Sequence, residues 1–196
     1  MKWLTTGKGG KKMNLITKNS EIARVFWDKY TDENSVAIDA TCGNGNDTLY
    51  LCQRVKRVYG FDIQQVAIDN TAALLKENSI TNYELICDDH RNVDRYIQEE
   101  IDLAVYNLGY LPRGDKHITT KADSTLESLE KVLELVKVNG LISITIYWGH
   151  EEGRKERERV VDFLRNLDSQ RYHVLYLQMI NQSRNAPELM LVTRKK

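Results

Sequence analysis

The segment at residues 36–48, VAIDATCGNGNDT, constrains the fold of this chain more than any other. A β-branched run ends at Asp39, passes into a glycine-containing turn and continues into an amphipathic pattern, which is the order strand, tight loop, helix. Gly43 and Gly45 carry no Cβ, so the backbone can adopt positive φ there and approach a ligand closely. The segment therefore predicts a ligand-binding loop, in which a side chain at either glycine would block that approach.

The acids of this loop indicate the kind of ligand. A dinucleotide loop of the G-x-G-x-x-G type would place a third glycine where this chain has Thr48. Asp39 before the glycines and Asp47 at the start of the helix disfavour phosphate and suit a cation. The motif D-A-T-C-G-N-G resembles motif I of the class I S-adenosylmethionine (SAM)-dependent methyltransferases, whose acid accompanies the amino-acid end of SAM. On this resemblance the candidate cofactor contacts of the loop are Asp39, Thr41, Gly43, Asn44, Gly45, Asn46, Asp47 and Thr48.

Composition sets outer limits on function. A chain of 196 residues suits one domain with a substantial core. Its 28 basic and 28 acidic residues cancel, so no global positive field attracts nucleic acid and any RNA contact must be local. Cys42, Cys52 and Cys87 form no C-x-x-C pair, so we expect neither a disulfide framework nor a structural zinc site.

The sequence also predicts where the domain lies and where the protein works. Residues 1–12 are polar, rich in Gly and Lys and without periodicity, which predicts a disordered leader. Residues 13–196 are then expected to form a single domain. No stretch is apolar and long enough for a transmembrane helix or a signal peptide, so we expect a cytoplasmic protein.

Strand and helix patterns alternate along the chain. Strands are predicted at 36–40, 57–61, 83–87, 101–106, 141–147, 172–180 and 188–194, and helices at 20–30 (capped by Ser20), 46–54, 64–78, 92–99, 122–137 and 151–167. Such a βαβ series predicts a parallel sheet with right-handed crossovers. The link at 181–187 is too short for a crossover helix, so the last strand should be antiparallel. The pattern favours a Rossmann-like α/β fold of the class I methyltransferase type, with a seven-stranded, mostly parallel sheet, an antiparallel last strand and helices on both faces.

Asp62 ends the second predicted strand, about one βα unit after the glycine loop. A carboxylate at this position can accept hydrogen bonds from both ribose hydroxyls of a nucleoside. It can also cap the helix that starts near Gln64, and the two roles can coexist. Gln64 or Ile63 is expected to flank the adenosine.

Asp88, Asp89 and His90 follow the third predicted strand. Methyltransferases of this class commonly place an acid there, near the adenine amino group, and the sequence does not choose between the two aspartates. A metal site built from the same residues is disfavoured because no other His lies at ligand spacing.

The segment 105–116, VYNLGYLPRGDK, follows the fourth predicted strand and should lie over the reactive end of the cofactor. It resembles the N-P-P-Y motif of methyltransferases that act on amino groups of nucleobases, with Leu108 and Gly109 in place of the prolines. In that motif the Asn side chain and the next backbone carbonyl accept the amine hydrogens, and the aromatic ring stacks on the base. Asn107, the Leu108 carbonyl and Tyr110 are the matching candidates, and a Gly/Pro surface loop is the alternative.

Other residues near this segment are candidates for proton transfer and RNA binding. Asp115, His117 and His90 are the possible bases for an attacking amine, and the sequence does not rank them. Tyr147 and Trp148 are further stacking candidates. Arg113, Lys116 and Lys121 are either phosphate contacts or solvated loop charges, and His150 is a candidate at the mouth of the site.

Several linked motifs, taken in order, resemble one family. D-A-T-C-G-N-G-N-D-T-L-Y-L, D-D-H, N-L-G-Y-L-P-R-G-D-K, T-T-K-A-D-S-T and Y-W-G-H-E-E-G are similar to the YtqB-like family, formerly labelled rRNA methylases. The resemblance runs from about residue 20 to the C-terminus and departs at Asp89, where a small hydroxyl residue is expected. It implies an MnmM-type tRNA methyltransferase that uses SAM to convert wobble 5-aminomethyl-2-thiouridine to its 5-methylaminomethyl form.

Three alternatives stay open at this point. The chain could methylate an rRNA base or a small-molecule amine with the same cofactor residues. A non-catalytic nucleotide-binding module would keep the glycine loop but would have no use for the ordered Asn107-to-Tyr110 segment. The tRNA anticodon loop is the expected partner, and a homodimer is an open possibility.

Overall fold

The computed structural model describes residues 18–109, 120–149, 151–182 and 186–196. The predicted leader lies outside these ranges. The helices are α1 (Asn19–Tyr30), α2 (Asn46–Cys52), α3 (Gln65–Glu77), α4 (Val93–Tyr96), α5 (Ala122–Leu135) and α6 (Glu151–Arg165), with a 3₁₀ turn at His90–Asn92 before α4. The strands are β1 (Val36–Asp39), β2 (Arg57–Asp62), β3 (Tyr83–Cys87), β4 (Ile101–Leu108), β5 (Val136–Ile146), β6 (Tyr172–Leu177) and β7 (Glu188–Arg194).

These strands form one sheet in the order β3-β2-β1-β4-β5-β7-β6. The pairs from β3 to β5 are parallel, whereas β7 is antiparallel to both β5 and β6. The predicted mostly parallel sheet with an antiparallel last strand is confirmed. The strand order reverses between β1 and β4, and in open α/β sheets ligands bind at the carboxyl ends of the strands beside such a reversal.

Both faces of the sheet carry helices, because successive side chains of a strand point to opposite faces. Ile38, Ala104 and Tyr106 pack in a cluster with α4, α5 and α6. Ala37 and Leu103 pack in a second cluster with α1, α2 and α3. This three-layer arrangement confirms the predicted fold and leaves the strand ends free to build a site.

Several predicted boundaries differ from the observed ones; the strand predicted at 172–180, for example, ends at Leu177. Two further differences involve α1 and α5. Ser20 lies within α1, whose N-cap is Lys18. The helix predicted at 122–137 ends at Leu135, and β5 begins at once with Val136, which pairs with Ile101 of β4. The β-branched residues at 136 and 138 favour a strand over another helical turn. Within the described ranges, none of the helices has the length and apolar character needed to span a bilayer.

Candidate active site

A cleft of about 580 Å³ opens at the carboxyl ends of β1, β2, β3 and β4. The sequence-predicted residues that line it are Thr41, Gly43, Asn44, Asn46, Asp47, Asp62, Gln64, Asp88, Asp89, His90, Asn107, Lys121 and Tyr147. The fold thus brings together residues from the ends of five strands, because Tyr147 follows β5. Arg91, Thr120 and Ser124 also line the cleft and were not among the predicted site residues.

Asp39 is fully buried beneath the glycine loop and does not line the cleft. Its Oδ2 accepts a hydrogen bond from the Thr48 hydroxyl at 2.7 Å, and its Oδ1 accepts one from the Thr41 backbone N–H at 3.3 Å. Burial, and then the nearby charge of Asp47, raise its pKa to about 7, although the bonds from Thr48 and Thr41 oppose that rise. Asp39 and Thr48 therefore support the loop from below.

The two glycines of the loop serve different purposes. Gly43 has a φ of 52° and lines the cleft, as the sequence predicts. Gly45 has a φ of 79°, and a Cβ there would lie 2.9 Å from the Thr71 hydroxyl oxygen of α3. The close approach at Gly45 is therefore to α3, which corrects the expectation that a side chain at this glycine would block a ligand.

Asp62 joins the glycine loop to the start of α3. Its Oδ2 accepts a hydrogen bond from the Gly43 N–H at 3.1 Å, and its Oδ1 accepts one from the Gln64 N–H at 2.9 Å. The N-cap position of α3 is Gln64, so Asp62 supports the helix from two residues before it. Burial raises the pKa of Asp62, and the backbone donors oppose the rise. One carboxylate thus holds the loop and also faces the cleft.

Asp88 and Asp89 both line the cleft but are held by different partners. Asp88 accepts hydrogen bonds from the Tyr96 hydroxyl at 2.8 Å and from the Asn92 amide at 3.0 Å. Asp89 accepts from both the backbone N–H and the Nε of Arg91, each at 2.9 Å. The Asp89 carboxylate is therefore held by the 3₁₀ turn, and the Asp88 carboxylate by both that turn and α4.

The His90 imidazole is buried beside these acids and packs edge-to-face on Tyr106, with ring centroids 5.7 Å apart. Burial lowers its pKa to about 4, and the charge of Asp89 only partly opposes this. A neutral imidazole with so low a pKa is a poor proton acceptor near neutral pH. The structure therefore disfavours His90 among the three candidate bases.

Asn107 is held in the cleft through both its backbone and its side chain. Its backbone N–H donates to the Thr41 hydroxyl oxygen at 2.7 Å, and its side-chain Nδ2 donates to Asp47 Oδ2 at 3.1 Å. A carboxylate accepts hydrogen bonds only, so the amide NH₂ must face Asp47. The amide Oδ1 is then left as a hydrogen-bond acceptor on a cleft-lining side chain.

Leu108 and Trp148 do not line the cleft. The Leu108 side chain is fully buried, and its carbonyl accepts a hydrogen bond from the Tyr147 N–H at 2.8 Å. The Trp148 Nε1 donates to the Ala186 carbonyl at 3.1 Å, and the Arg157 guanidinium lies 4.8 Å from its ring centroid. Tyr147, which is 41% exposed and lines the cleft, is the better placed of the two aromatic candidates.

Gly109 and Thr120 are the described residues on either side of the segment predicted to carry the base and the RNA contacts. Gly109 and Thr120 exchange hydrogen bonds: the Gly109 N–H donates to the Thr120 hydroxyl oxygen and the Thr120 N–H donates to the Gly109 carbonyl. The Thr120 hydroxyl donates in turn to the buried Glu156 carboxylate at 2.6 Å. Tyr110, Arg113, Asp115, Lys116, His117 and His150 lie outside the described residues.

Helix α6 has an exposed side and a buried side, and the buried side carries the acid Glu156. Lys155 is exposed there and pairs with Glu151, as the i,i+4 spacing predicts. Glu156, however, shares the buried side of α6 with Val160 and Leu164, and burial raises its pKa. The four-residue spacing to those apolar residues was the signal that could have identified it.

The described residues contain no group of three or more His, Cys, Asp or Glu side chains arranged to hold a metal ion. The acceptors of the cleft instead suit a nucleoside with a cationic tail. Asp62 can accept ribose hydroxyls, Asp88 or Asp89 can accept an adenine amino group, and Asp47 adds negative charge beside the glycine loop. The cleft therefore fits SAM.

Known proteins resemble the chain over most of its length. Residues 58–193 match the family described as "Putative rRNA methylase". The "tRNA (mnm(5)s(2)U34)-methyltransferase, chloroplastic" of Arabidopsis thaliana is 35% identical over 194 residues, which cover 91% of this chain and 70% of that protein. A crystal structure of a "putative rRNA-methylase" from Clostridium thermocellum is 37% identical, with a TM-score of 0.89 over 91% of this chain and 98% of the other.

A second crystal structure shows a ligand. It is a "putative methyltransferase" from Streptococcus mutans in complex with S-adenosylhomocysteine (SAH), 37% identical, with a TM-score of 0.86 over 91% of this chain and 99% of the other. With the strand order and the acid-lined cleft, this defines the chain as a class I SAM-dependent methyltransferase. The chain belongs to the family described as "Putative rRNA methylase".

We expect SAM binding to depend on pH through Asp39. Cationic SAM favours a negative charge beneath the loop, so binding should release a proton where Asp39, with its pKa of about 7, is protonated in the free protein. Affinity should then rise as pH increases to about 7, by at most about tenfold per pH unit, and level off above that pH. Calorimetry over this range measures the effect, and Asp39→Asn should flatten it. An equal pH slope in the two proteins would contradict the assignment.

The raised pKa of Asp39 also determines how the stability of the fold changes with pH. A carboxyl that binds its proton more tightly in the folded state makes stability fall as pH rises between about 4 and about 7. Asp39→Asn should therefore be relatively more stable at the upper end of that range.

Proposed function

We propose that this chain methylates the amino nitrogen of a wobble 5-aminomethyl-(2-thio)uridine in tRNA. The observation that carries the proposal is the fixed amide of Asn107, whose Oδ1 is an acceptor in the cleft because its NH₂ is bound to Asp47. The name of the Arabidopsis relative supports tRNA as the substrate class. An acceptor of this kind suits an amine that must point its lone pair at a methyl group.

Bound SAM supplies an electrophilic methyl group on a sulfonium centre. Asp62 is proposed to bind the ribose, Asp88 or Asp89 the adenine amino group, and Asp47 with Gly43 to lie at the methionine end. Asn107 Oδ1 accepts one N–H of the substrate amine, which turns the lone pair toward the methyl group. The proposed gain in rate comes from this alignment and from exclusion of water.

A neutral amine is needed for attack, and the proton that it loses on methylation must leave. His90 is a weak candidate to receive it because its pKa is about 4. Asp115 and His117 stay predictions, since both lie outside the described residues. The amine acceptor at Asn107 need not itself be a base, because a hydrogen bond to the neutral amine is enough to orient it.

RNA contacts are proposed at the rim of the same cleft. Tyr147 offers an exposed ring on which an unstacked base can lie, and a wobble base is presented in a single-stranded loop. Lys121 lines the cleft close by and can contact phosphate. Arg113, Lys116, Tyr110 and His150 are proposed to extend this surface.

A single domain at 13–196, a cytoplasmic location and a homodimer stay predictions.

An anticodon stem-loop tests the substrate. The stem-loop with 5-aminomethyl-2-thiouridine at the wobble position should gain one methyl group on nitrogen, because it contains the amine and the loop that the cleft is proposed to bind. The same stem-loop with plain uridine should not react, since attack by carbon-5 needs an enzyme nucleophile at carbon-6. Burial raises the pKa of Cys42, the cysteine that lines the cleft, which makes it inert for that step. Nucleoside mass spectrometry gives the readout.

Two results would contradict the proposal. One is methyl transfer to the unmodified stem-loop, and the other is transfer to ribosomal RNA with no transfer to tRNA. Salt provides a further control, because RNA binding through phosphates weakens steeply as salt rises whereas binding of a small amine does not.

A further inference from the structure

The Asp47 carboxylate joins two side chains from different parts of the chain. Its Oδ2 accepts the Asn107 amide at 3.1 Å, and its Oδ1 accepts Arg24 Nη2 at 2.6 Å and Nε at 3.2 Å. Asp47 is only 16% exposed in its side chain, and Arg24 is 30% exposed. Arg24 of α1 thus forms an ion pair with Asp47, and Asp47 in turn binds Asn107, the candidate amine acceptor.

The direction of the Asn107 amide depends on this carboxylate. An amide turned by half a rotation would place its Oδ1 against the negative oxygens of Asp47, with two acceptors facing each other and no proton between them. The observed direction avoids this and leaves Oδ1 for the substrate. The preference holds only as long as Asp47 Oδ2 stays where it is.

Arg24 fixes the place of Asp47 Oδ1, and with it the direction of Oδ2. The Arg24 guanidinium is itself held, because it lies 4.3 Å from the ring centroid of Tyr50 on α2. α1 is anchored by Ala23 and Trp27, which are buried against the sheet. Without Arg24, Asp47 would lose its charge-assisted partner and could turn away from Asn107.

We propose that Arg24 is a positioning residue for methyl transfer, acting through Asp47 on the Asn107 amide. The effect on catalysis rests on the proposed function, in which Asn107 Oδ1 accepts the amine. The effect on the amide itself does not, because it concerns only contacts within this chain.

The first experiment observes the amide directly. In a protein labelled with ¹⁵N and saturated with SAH, the side-chain NH₂ signal of Asn107 is assigned by its disappearance in Asn107→Ala. Arg24→Met should shift or broaden that signal, because the bond to Asp47 is weakened. Arg54→Met is the matched control: Arg54 also stacks on Tyr50, at 3.5 Å, but pairs with Asp28. An unchanged signal in Arg24→Met, or an equal change in Arg54→Met, would overturn the inference.

The second experiment measures turnover on the modified stem-loop. Arg24→Met should lower kcat by about tenfold or more while SAH affinity stays within about threefold, since the lost contact acts on the nucleophile. Arg24→Lys should restore part of the rate, and Arg54→Met should keep it. In an Asn107→Ala background, Arg24→Met should have little further effect, because its target is already gone.

The outcomes separate the two proposals. A wild-type protein that does not methylate the stem-loop contradicts the proposed function, while the amide signal still decides whether Arg24 orients Asn107. Additive losses in the double variant, or a loss of kcat that Arg54→Met shares, would mean that Arg24 only supports the helix and would overturn the positioning role.

Discussion

Asn107→Ala is expected to reduce kcat on the modified stem-loop by about 10²- to 10³-fold, the size of effect that follows when one preorganised transition-state hydrogen bond is removed. The loss should fall on kcat because Asn107 is proposed to orient the attacking amine. Affinity for SAH should stay within about threefold, since the cofactor carboxylates remain. Calorimetry with SAH and single-turnover methylation separate the two quantities.

Asn166→Ala is the matched control for this experiment. Asn166 follows α6 and donates its Nδ2 to the Asp162 carbonyl on the surface, away from the cleft. It should leave both kcat and SAH affinity unchanged. If Asn107→Ala weakens SAH binding as much as it lowers kcat, then the residue shapes the cofactor pocket and its proposed role on the amine is wrong.

Most of the fold could be predicted because its signals are local and repeated. Short β-branched runs and longer amphipathic stretches alternate, and each crossover that joins parallel strands needs a helix. The short link at 181–187 was enough to make the last strand antiparallel, as observed. The α5 to β5 boundary was missed because the helix passes directly into the strand at Leu135 and Val136, and no glycine or proline marks the end of the helix.

The cleft residues could be predicted for a related reason. Asp62, Asp88 and Asn107 each end or follow a strand, and parallel strands bring those ends to one edge of the sheet. The sequence could not show which residues of a motif face the cleft and which are buried behind it. Asp39 and Gly45 belong to the same motif as Gly43, yet one is buried beneath the loop and the other packs on α3.

Contacts between distant helices could not be predicted from spacing. Arg24 and Asp47 lie 23 positions apart on separate helices, and no periodicity relates them. Glu156 could have been predicted, because it lies on the apolar side of α6 and a buried acid needs a hydrogen-bond partner. Arg24 and Glu156 hold cleft residues in place from outside the quoted motifs, through Asp47 and Thr120 respectively.

Asp62→Ala should weaken SAM binding by about 10- to 100-fold, because hydrogen bonds from the ribose hydroxyls to a charged acceptor contribute about 1.5–3 kcal/mol. Asp69→Ala is the matched control for charge. Asp69 lies exposed on the same α3 and accepts from Gln65, so its loss removes one negative charge without changing the cleft. Calorimetric titration of the three proteins with SAM gives the comparison.

The Asp62 variant also loses the acceptor for the Gly43 and Gln64 N–H groups, so loop distortion could weaken binding by itself. A change in the ligand distinguishes the two causes. SAH lacking both ribose hydroxyls should bind the wild type and Asp62→Ala with nearly equal affinity, since the contact in question is absent from both complexes. If the variant loses as much affinity for this analogue as for SAH, Asp62 supports the loop and does not bind the ribose.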